Sequence, residues 1–285
     1  MEFKVASFYK YIKVRNPERL MGEIRLLCER LGLKGRILIG NEGINGVVSG
    51  KIGAVEVFKK QIKQNKSFSD LTFREQAFPK QTYSKLVVRV RDEIVHFGKK
   101  VDLKKTGKHI SPKTLKSWLD KNKNIVLIDA RNQYETKVGK FKGALTLPME
   151  NFRDFPKASK KLGKIKDKNI VMYCTGGIRC EKASAFLKAK GVRHVYQLQG
   201  GIINFVNQFP DTYFEGSCFV FDDRLASKVS KKVFSKCDVC GSPSDDMINC
   251  VNLDCDKRFI SCKECQGKMK KTCCKKCFAS PRKRK

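Results

Sequence analysis

Ile170-Val-Met-Tyr-Cys174-Thr-Gly-Gly-Ile-Arg179-Cys180-Glu-Lys-Ala-Ser-Ala185 decides how this chain is read. Four apolar residues predict a buried strand, Thr175, Gly176 and Gly177 a tight loop, and Ile178 onward the start of a helix. A cysteine at the end of such a strand lies in a cup of loop N–H groups closed by Arg179, at the positive end of the next helix. Those conditions turn a thiol into a thiolate. Cys174 is therefore the candidate nucleophile, Arg179 its cationic neighbour, and Thr175, Gly176, Gly177 and Ile178 the loop backbone.

Outward from that loop the pattern repeats. Ser111-Pro112 opens a helix whose apolar face is Leu115, Trp118 and Leu119; Ile125 to Asp129 reads as a fully buried strand. Ala183 to Lys190 continues as helix and Val195 to Leu198 as a further strand. Strands alternating with helices predict a parallel α/β sheet, with its reactive groups at the carboxyl ends of the strands, where Asp129 and Cys174 both fall.

Residues 1–97 have a different rhythm. A β-like run (Glu2 to Tyr11) is followed by a helix opened by Asn16-Pro17, a strand from Gly35, and a glycine-rich turn, Asn41 to Gly46, into Val47-Val48-Ser49. A helix over Ala54 to Gln64 and strands over Leu71 to Gln76 and Leu86 to Val95 complete a β-α-β-β-α-β order. That order predicts a ferredoxin-like or acylphosphatase-like α+β domain. Glu42 and Asn45, at the turn, are its most plausible functional groups. Residues 98–112 are polar and basic and read as a linker, 113–215 as the α/β domain, and 216–285 as a cysteine-rich, metal-binding, basic module.

Nine of the 13 cysteines lie between Cys237 and Cys277, as Cys237-x2-Cys240, Cys250-x4-Cys255, Cys262-x2-Cys265 and Cys273-Cys274-x2-Cys277. Thiolates two residues apart suit tetrahedral zinc, because the short knuckle turns both sulfurs inward. Eight of them, Cys237, Cys240, Cys250, Cys255, Cys262, Cys265, Cys274 and Cys277, make two four-cysteine sites, with one of Cys273 and Cys274 spare and Cys274 taken as the ligand. An iron–sulfur centre is the other metal reading. Disulfides compete poorly, because Met1-Glu-Phe-Lys-Val has no secretory pattern, and the expected compartment is the cytoplasm.

Sixty-one lysines and arginines against 28 acidic residues give a formal charge of +33, which draws polyanions, and nucleic acid is the expected partner. No apolar run approaches the length of a membrane span. From Lys268 to Lys285 there are nine basic residues and no acidic one, so Lys283, Arg284 and Lys285 are candidate RNA contacts, while Phe259 and Phe278 read as core. His96, His109 and His194 are isolated, Cys28 lies on an apolar helix face, and Cys218 is assigned no chemistry.

Asp129-Ala-Arg131-Asn-Gln-Tyr-Glu135, Gly139-Lys-Phe-Lys-Gly143, Cys174 to Arg179, and Leu198-Gln-Gly-Gly-Ile202 resemble the successive signatures of the rhodanese fold. With Gly35 to Gly50, Cys180-Glu-Lys-Ala-Ser184 and the cysteine-rich end, the whole chain resembles the oxygen-dependent tRNA uridine-34 hydroxylase family. The resemblance implies hydroxylation of the wobble uridine to 5-hydroxyuridine, with tRNA as partner, molecular oxygen as co-substrate and an unassigned electron donor. It makes Cys174 the active-site cysteine, formally the persulfide position of rhodanese domains, Arg179 the loop cation, and Asp129 and Arg131 part of the motif that buttresses the loop. Cys180 is either a resolving thiol or structural. Sulfur transfer from a Cys174 persulfide, to RNA or to a partner protein, is the competing function.

Overall fold

Strand β1 (Phe3–Tyr11) turns Ala6 and Phe8 inward at alternate positions, the period that a half-buried strand dictates. The structure is a computed structural model; it describes residues 1–279 and 282, and divides into two units, Met1–Lys100 and a second from Val101. In the first unit β1 leads to α1 (Pro17–Arg30), where Asn16 accepts a bond from the Arg19 N–H and Pro17 occupies a position whose N–H has no intrahelical use. Then follow β2 (Lys34–Gly40), β3 (Gly43–Lys51), α2 (Ile52–Gln64), β4 (Phe73–Phe78) and β5 (Leu86–Val90). The sheet order is β4-β1-β3-β2-β5, with β5 parallel to β2 and the other pairs antiparallel. Phe8, Ile24, Cys28, Ile37, Val48, Val55 and Phe58 form the core between helices and sheet. This is the expected α+β sandwich, with the two strands expected after α2 at its two edges.

Two readings of this unit need correction. The stretch Asn41 to Gly46 turns only at Asn41-Glu42, and Gly43 and Gly46 lie inside β3. Gly46 is there for space: a Cβ would fall 2.7 Å from the Phe8 ring. The strand expected to reach Val95 ends at Val90.

The second unit opens with β6 (Lys108–Ile110), α3 (Pro112–Asp120), β7 (Ile125–Asp129), α4 (Gln133–Thr136), β8 (Gly139–Phe141), β9 (Leu145–Thr146) and α5 (Phe155–Ala158). It continues through β10 (Asn169–Tyr173), α6 (Ile178–Ala189), β11 (Val195–Leu198), α7 (Gly201–Gln208) and β12 (Phe214–Phe219). Strands β6-β11-β10-β7-β9 form the expected parallel sheet. Residues 98–112 are therefore not all linker: β6 pairs with Tyr196 to Leu198 and closes the sheet edge. Phe141, Tyr173 and Phe205 meet edge-on in the core, with centroids 4.7 and 4.9 Å from Phe141.

The division expected between residues 215 and 216 runs through β12, which pairs with β8 on one side and with β13 (Ala226–Lys228) on the other. Beyond it lie a hairpin of β14 (Met247–Asn249) and β15 (Arg258–Ile260), then α8 (Lys263–Lys268) and α9 (Lys275–Ala279). Met247 and Ile260 of the hairpin pack with Val138 and Phe219, so the cysteine-rich segment is seated on the α/β part. Among the described residues, no helix is long and apolar enough to cross a membrane.

Candidate active site

Strand β10 delivers Cys174 to the carboxyl edge of the parallel sheet, between its neighbours β7 and β11. The chain then turns sharply enough that Gly177 takes φ 102°, a conformation that costs glycine nothing, and α6 starts at Ile178. The turn folds its N–H groups back on the sulfur: the Gly177 N–H donates to Cys174 Sγ at 3.1 Å. Cys174 is 1 % exposed, and burial alone pushes its thiol up. That effect is overcome by a bond from the Cys180 thiol, the Arg179 charge, and the Arg179 and Gly177 N–H groups, which together bring Cys174 down to about 5. At neutral pH the group is a thiolate. Burial and the adjacent Cys174 push Cys180 in the opposite direction, so it keeps its proton and donates it.

Two buried ion pairs brace the loop. Arg179 grips Glu135 through Nη1–Oε1 (2.5 Å) and Nη2–Oε2 (2.8 Å), and Thr175 Oγ1 donates to Glu135 Oε2 at 3.4 Å. Arg131 is fully buried and forks onto Asp129 through Nε–Oδ1 (3.0 Å) and Nη2–Oδ2 (2.7 Å). Its remaining donors reach the Gly139 carbonyl at 2.7 Å and the Glu135 carbonyl at 3.4 Å. Asp129 thus holds Arg131, Arg131 holds the backbone of α4, and the Glu135 side chain of α4 holds Arg179. Beneath the loop, the first turn of α7 donates from Ile202 N to the Cys174 carbonyl (2.9 Å) and from Ile203 N to the Thr175 carbonyl (3.2 Å). Gly201 permits that approach, since a Cβ there would lie 2.4 Å from the Cys174 oxygen.

Asp129, Arg131, Cys174, Thr175, Gly176, Gly177, Ile178, Arg179 and Cys180 therefore converge. Glu135 joins them, a residue of the Asp129–Glu135 stretch to which the sequence alone assigns no role. Its signal was the Asn132-x-x-Glu135 capping box, present in the structure, in which Glu135 Oε1 accepts from the Asn132 N–H at 3.1 Å. Glu42 and Asn45 are occupied elsewhere: Glu42 accepts from the Ile94 N–H (2.8 Å), and Asn45 donates to the Ile94 carbonyl (2.9 Å). Both hold the chain after β5. In the same unit a cavity of about 590 Å³ is lined by Lys13, Arg15, Arg19, Asn16 and Asn65.

The cysteines gather as two groups of four, each with sulfurs within 4.8 Å of one another, arranged so that each can hold a metal ion. One is Cys237, Cys240, Cys262 and Cys265; the other is Cys250, Cys255, Cys273 and Cys277. The groups interleave along the chain. Cys273 replaces the expected Cys274 in the second group: its sulfur lies 3.6 Å from Cys255 and 3.8 Å from Cys277. Phe259 is buried at 2 %, as expected of core, but Phe278 is 40 % exposed under Lys270. Lys283, Arg284 and Lys285 lie outside the described residues.

Comparison with known proteins accounts for the three parts. Residues 3–94 match the UPF0176 acylphosphatase like domain, 111–208 the Rhodanese-like domain, and 215–278 the family described as Rhodanase C-terminal. A Cytophaga hutchinsonii protein named tRNA uridine(34) hydroxylase is 42 % identical over 288 residues, covering 99 % of this chain and 92 % of its own. Proteins of the same name from Chlamydia felis (37 % identical; 97 % and 87 % covered) and Bacillus licheniformis (35 %; 99 % and 90 %) align as fully. With the three domain matches and identity over nearly the whole chain in agreement, the chain belongs to the tRNA uridine(34) hydroxylase family.

Proposed function

We propose that this protein hydroxylates the wobble uridine of tRNA in the cytoplasm, with Cys174 as the active-site thiolate, Arg179 as its cationic partner and dioxygen as the oxygen source. The observation that carries the reading is near-full-length identity, 42 % over 99 % of the chain, to a tRNA uridine(34) hydroxylase. Overall, C5–H of the base becomes C5–OH, and the second oxygen atom leaves as water with two protons and two electrons from a reductant. Cys174 contributes a nucleophilic electron pair at neutral pH, buried from bulk water and held by loop N–H groups. The Asp129–Arg131 and Glu135–Arg179 pairs keep the loop in its cupped form.

The net charge of +33 and the cavity edged by Lys13, Arg15 and Arg19 support tRNA as the partner. Lys283, Arg284 and Lys285 would add backbone contacts. Zinc suits the cysteine groups: tetrahedral coordination with Zn–S bonds of about 2.3 Å places neighbouring sulfurs about 3.8 Å apart. The observed separations are 3.7 Å for Cys240–Cys262, 3.6 Å for Cys255–Cys273 and 3.8 Å for Cys273–Cys277. All eight residues would act as structural ligands.

Hydroxylation and thiolation of uridine add the same nominal mass, so the test is isotopic. Cells carrying the protein and grown under heavy-isotope oxygen gas are expected to label uridine 34 of tRNA, and cells with Cys174→Ser to leave it unmodified. Labelling from isotopic sulfur without oxygen label would replace this reading by sulfur transfer from a Cys174 persulfide.

A further inference from the structure

Phe221 interrupts a run of buried residues. Phe219, Val220 and Asp222 are all buried, yet the Phe221 side chain between them is 49 % exposed. Its backbone is fixed, because Val220 N donates to the Leu225 carbonyl and Leu225 N to the Asp222 carbonyl, both at 3.0 Å, while Arg224 Nε donates to Asp222 Oδ1 at 2.8 Å. The ring is also held: Phe219 meets it edge-on at 5.1 Å, and Tyr134 meets Phe219 in the same way at 5.2 Å. The group beside the Phe221 ring is the Arg179 guanidinium, 5.8 Å from its centroid. Arg179 is therefore shared between the thiolate and an aromatic ring that the fold leaves half open. A single exposed apolar side chain is ordinary on a protein surface. One that is rigidly seated against the loop cation of an active site has a location that calls for a ligand with a π-face.

We propose that Phe221 is the stacking platform for the pyrimidine ring presented to Cys174. The inference rests on the hydroxylase reading and deepens it by naming what holds the base. Cys174 is 1 % exposed, so a base inside an anticodon-loop stack does not reach it; the nucleotide has to be splayed out. Extrusion forfeits stacking on neighbouring bases, and an aromatic side chain at the site returns it. Phe221 comes from the segment after β12, outside the parallel sheet, which gives the C-terminal part of the chain a share in the catalytic site. Phe221 acts as a positioning residue, and its ring needs no polar contact with the base.

The test uses full-length protein and two readouts. An anticodon stem-loop carrying 5-bromouridine at position 34 is irradiated with the protein, and the crosslinked peptide is mapped by mass spectrometry. Separately, kcat and KM for tRNA hydroxylation are measured for Phe221→Leu and Phe221→Trp, with thermal unfolding as a check on folding. The expected results are a crosslink at Phe221, a fall of about ten-fold or more in kcat/KM for Phe221→Leu, and recovery with Phe221→Trp. A folded Phe221→Leu protein with unchanged kcat/KM, or a crosslink mapped elsewhere while wild-type protein hydroxylates, overturns the platform and leaves the hydroxylase reading intact. A crosslink at Phe221 with no oxygen-labelled product overturns the hydroxylase reading alone; neither signal overturns both.

Discussion

Arg179 and Glu135, 44 residues apart in sequence, face each other through two side-chain bonds of 2.5 and 2.8 Å with both groups buried. The cation that helps ionise Cys174 is thus itself compensated, and neither partner is free to reorient.

Removing Glu135 leaves the Arg179 charge buried without its carboxylate. Glu135→Ala is expected to lower stability by about 3–5 kcal/mol, read from urea denaturation midpoints. In an Arg179→Ala background the same change should cost much less, since the coupling has already been lost. Equal costs in both backgrounds would show the pair to be unimportant.

Ionisation of Cys174 makes stability depend on pH. Its folded value, about 5, lies below the ordinary thiol value of 9.0, so the stabilisation is complete above about pH 9 and is lost as pH falls to about 5. Alkylation by iodoacetamide should show a midpoint near pH 5 for Cys174. Cys28 and Cys218, both pushed up to about 12 by burial, should stay unreactive in the native protein. A midpoint of 8 or above for Cys174 would contradict the cupped loop.

Cys180 contributes a donated thiol proton. Cys180→Ala, which removes that donor and little volume, should move the Cys174 alkylation midpoint upward from about 5 while Arg179 and the loop N–H groups remain. Cys180→Ser keeps a donor and should hold the midpoint low. If activity of Cys180→Ser decays only over repeated turnovers, the residue is also a resolving thiol; if both variants keep the wild-type midpoint, it is packing alone.

Metal content separates two adjacent cysteines. Elemental analysis is expected to find about two zinc ions per chain. Cys273→Ser should lower that number and Cys274→Ser leave it unchanged, because the Cys273 sulfur lies with those of Cys250, Cys255 and Cys277. The reverse pattern would restore Cys274 as the ligand.

The Cys174 loop was legible because its signals are local. A strand of four apolar residues, two glycines and a helix start occupy consecutive positions, and the structure keeps β10 ending at Tyr173 and α6 starting at Ile178. What sequence reading missed depends on partners far along the chain. Glu135 shows its link to Arg179 only once β7 and β10 are neighbours. Strand β6 is three residues long, with Lys108 and His109 exposed, and lacks the apolar run that marks its neighbours. Gly46 looked like turn chemistry because nothing local reveals that Phe8 fills the space above it. Cysteine spacing likewise shows which residues pair as neighbours in sequence, and leaves open which pair joins which.

The alternating membership of the two cysteine groups ties their fates together. The segment between Cys240 and Cys262 contains Cys250 and Cys255, and the segment between Cys255 and Cys273 contains Cys262 and Cys265. Each closed loop therefore carries half of the other's ligands in its span, and opening one slackens the frame that keeps the other assembled. A chelator should extract both ions in one cooperative transition, and partial metal starvation should yield fully loaded and empty molecules with few half-loaded ones between them.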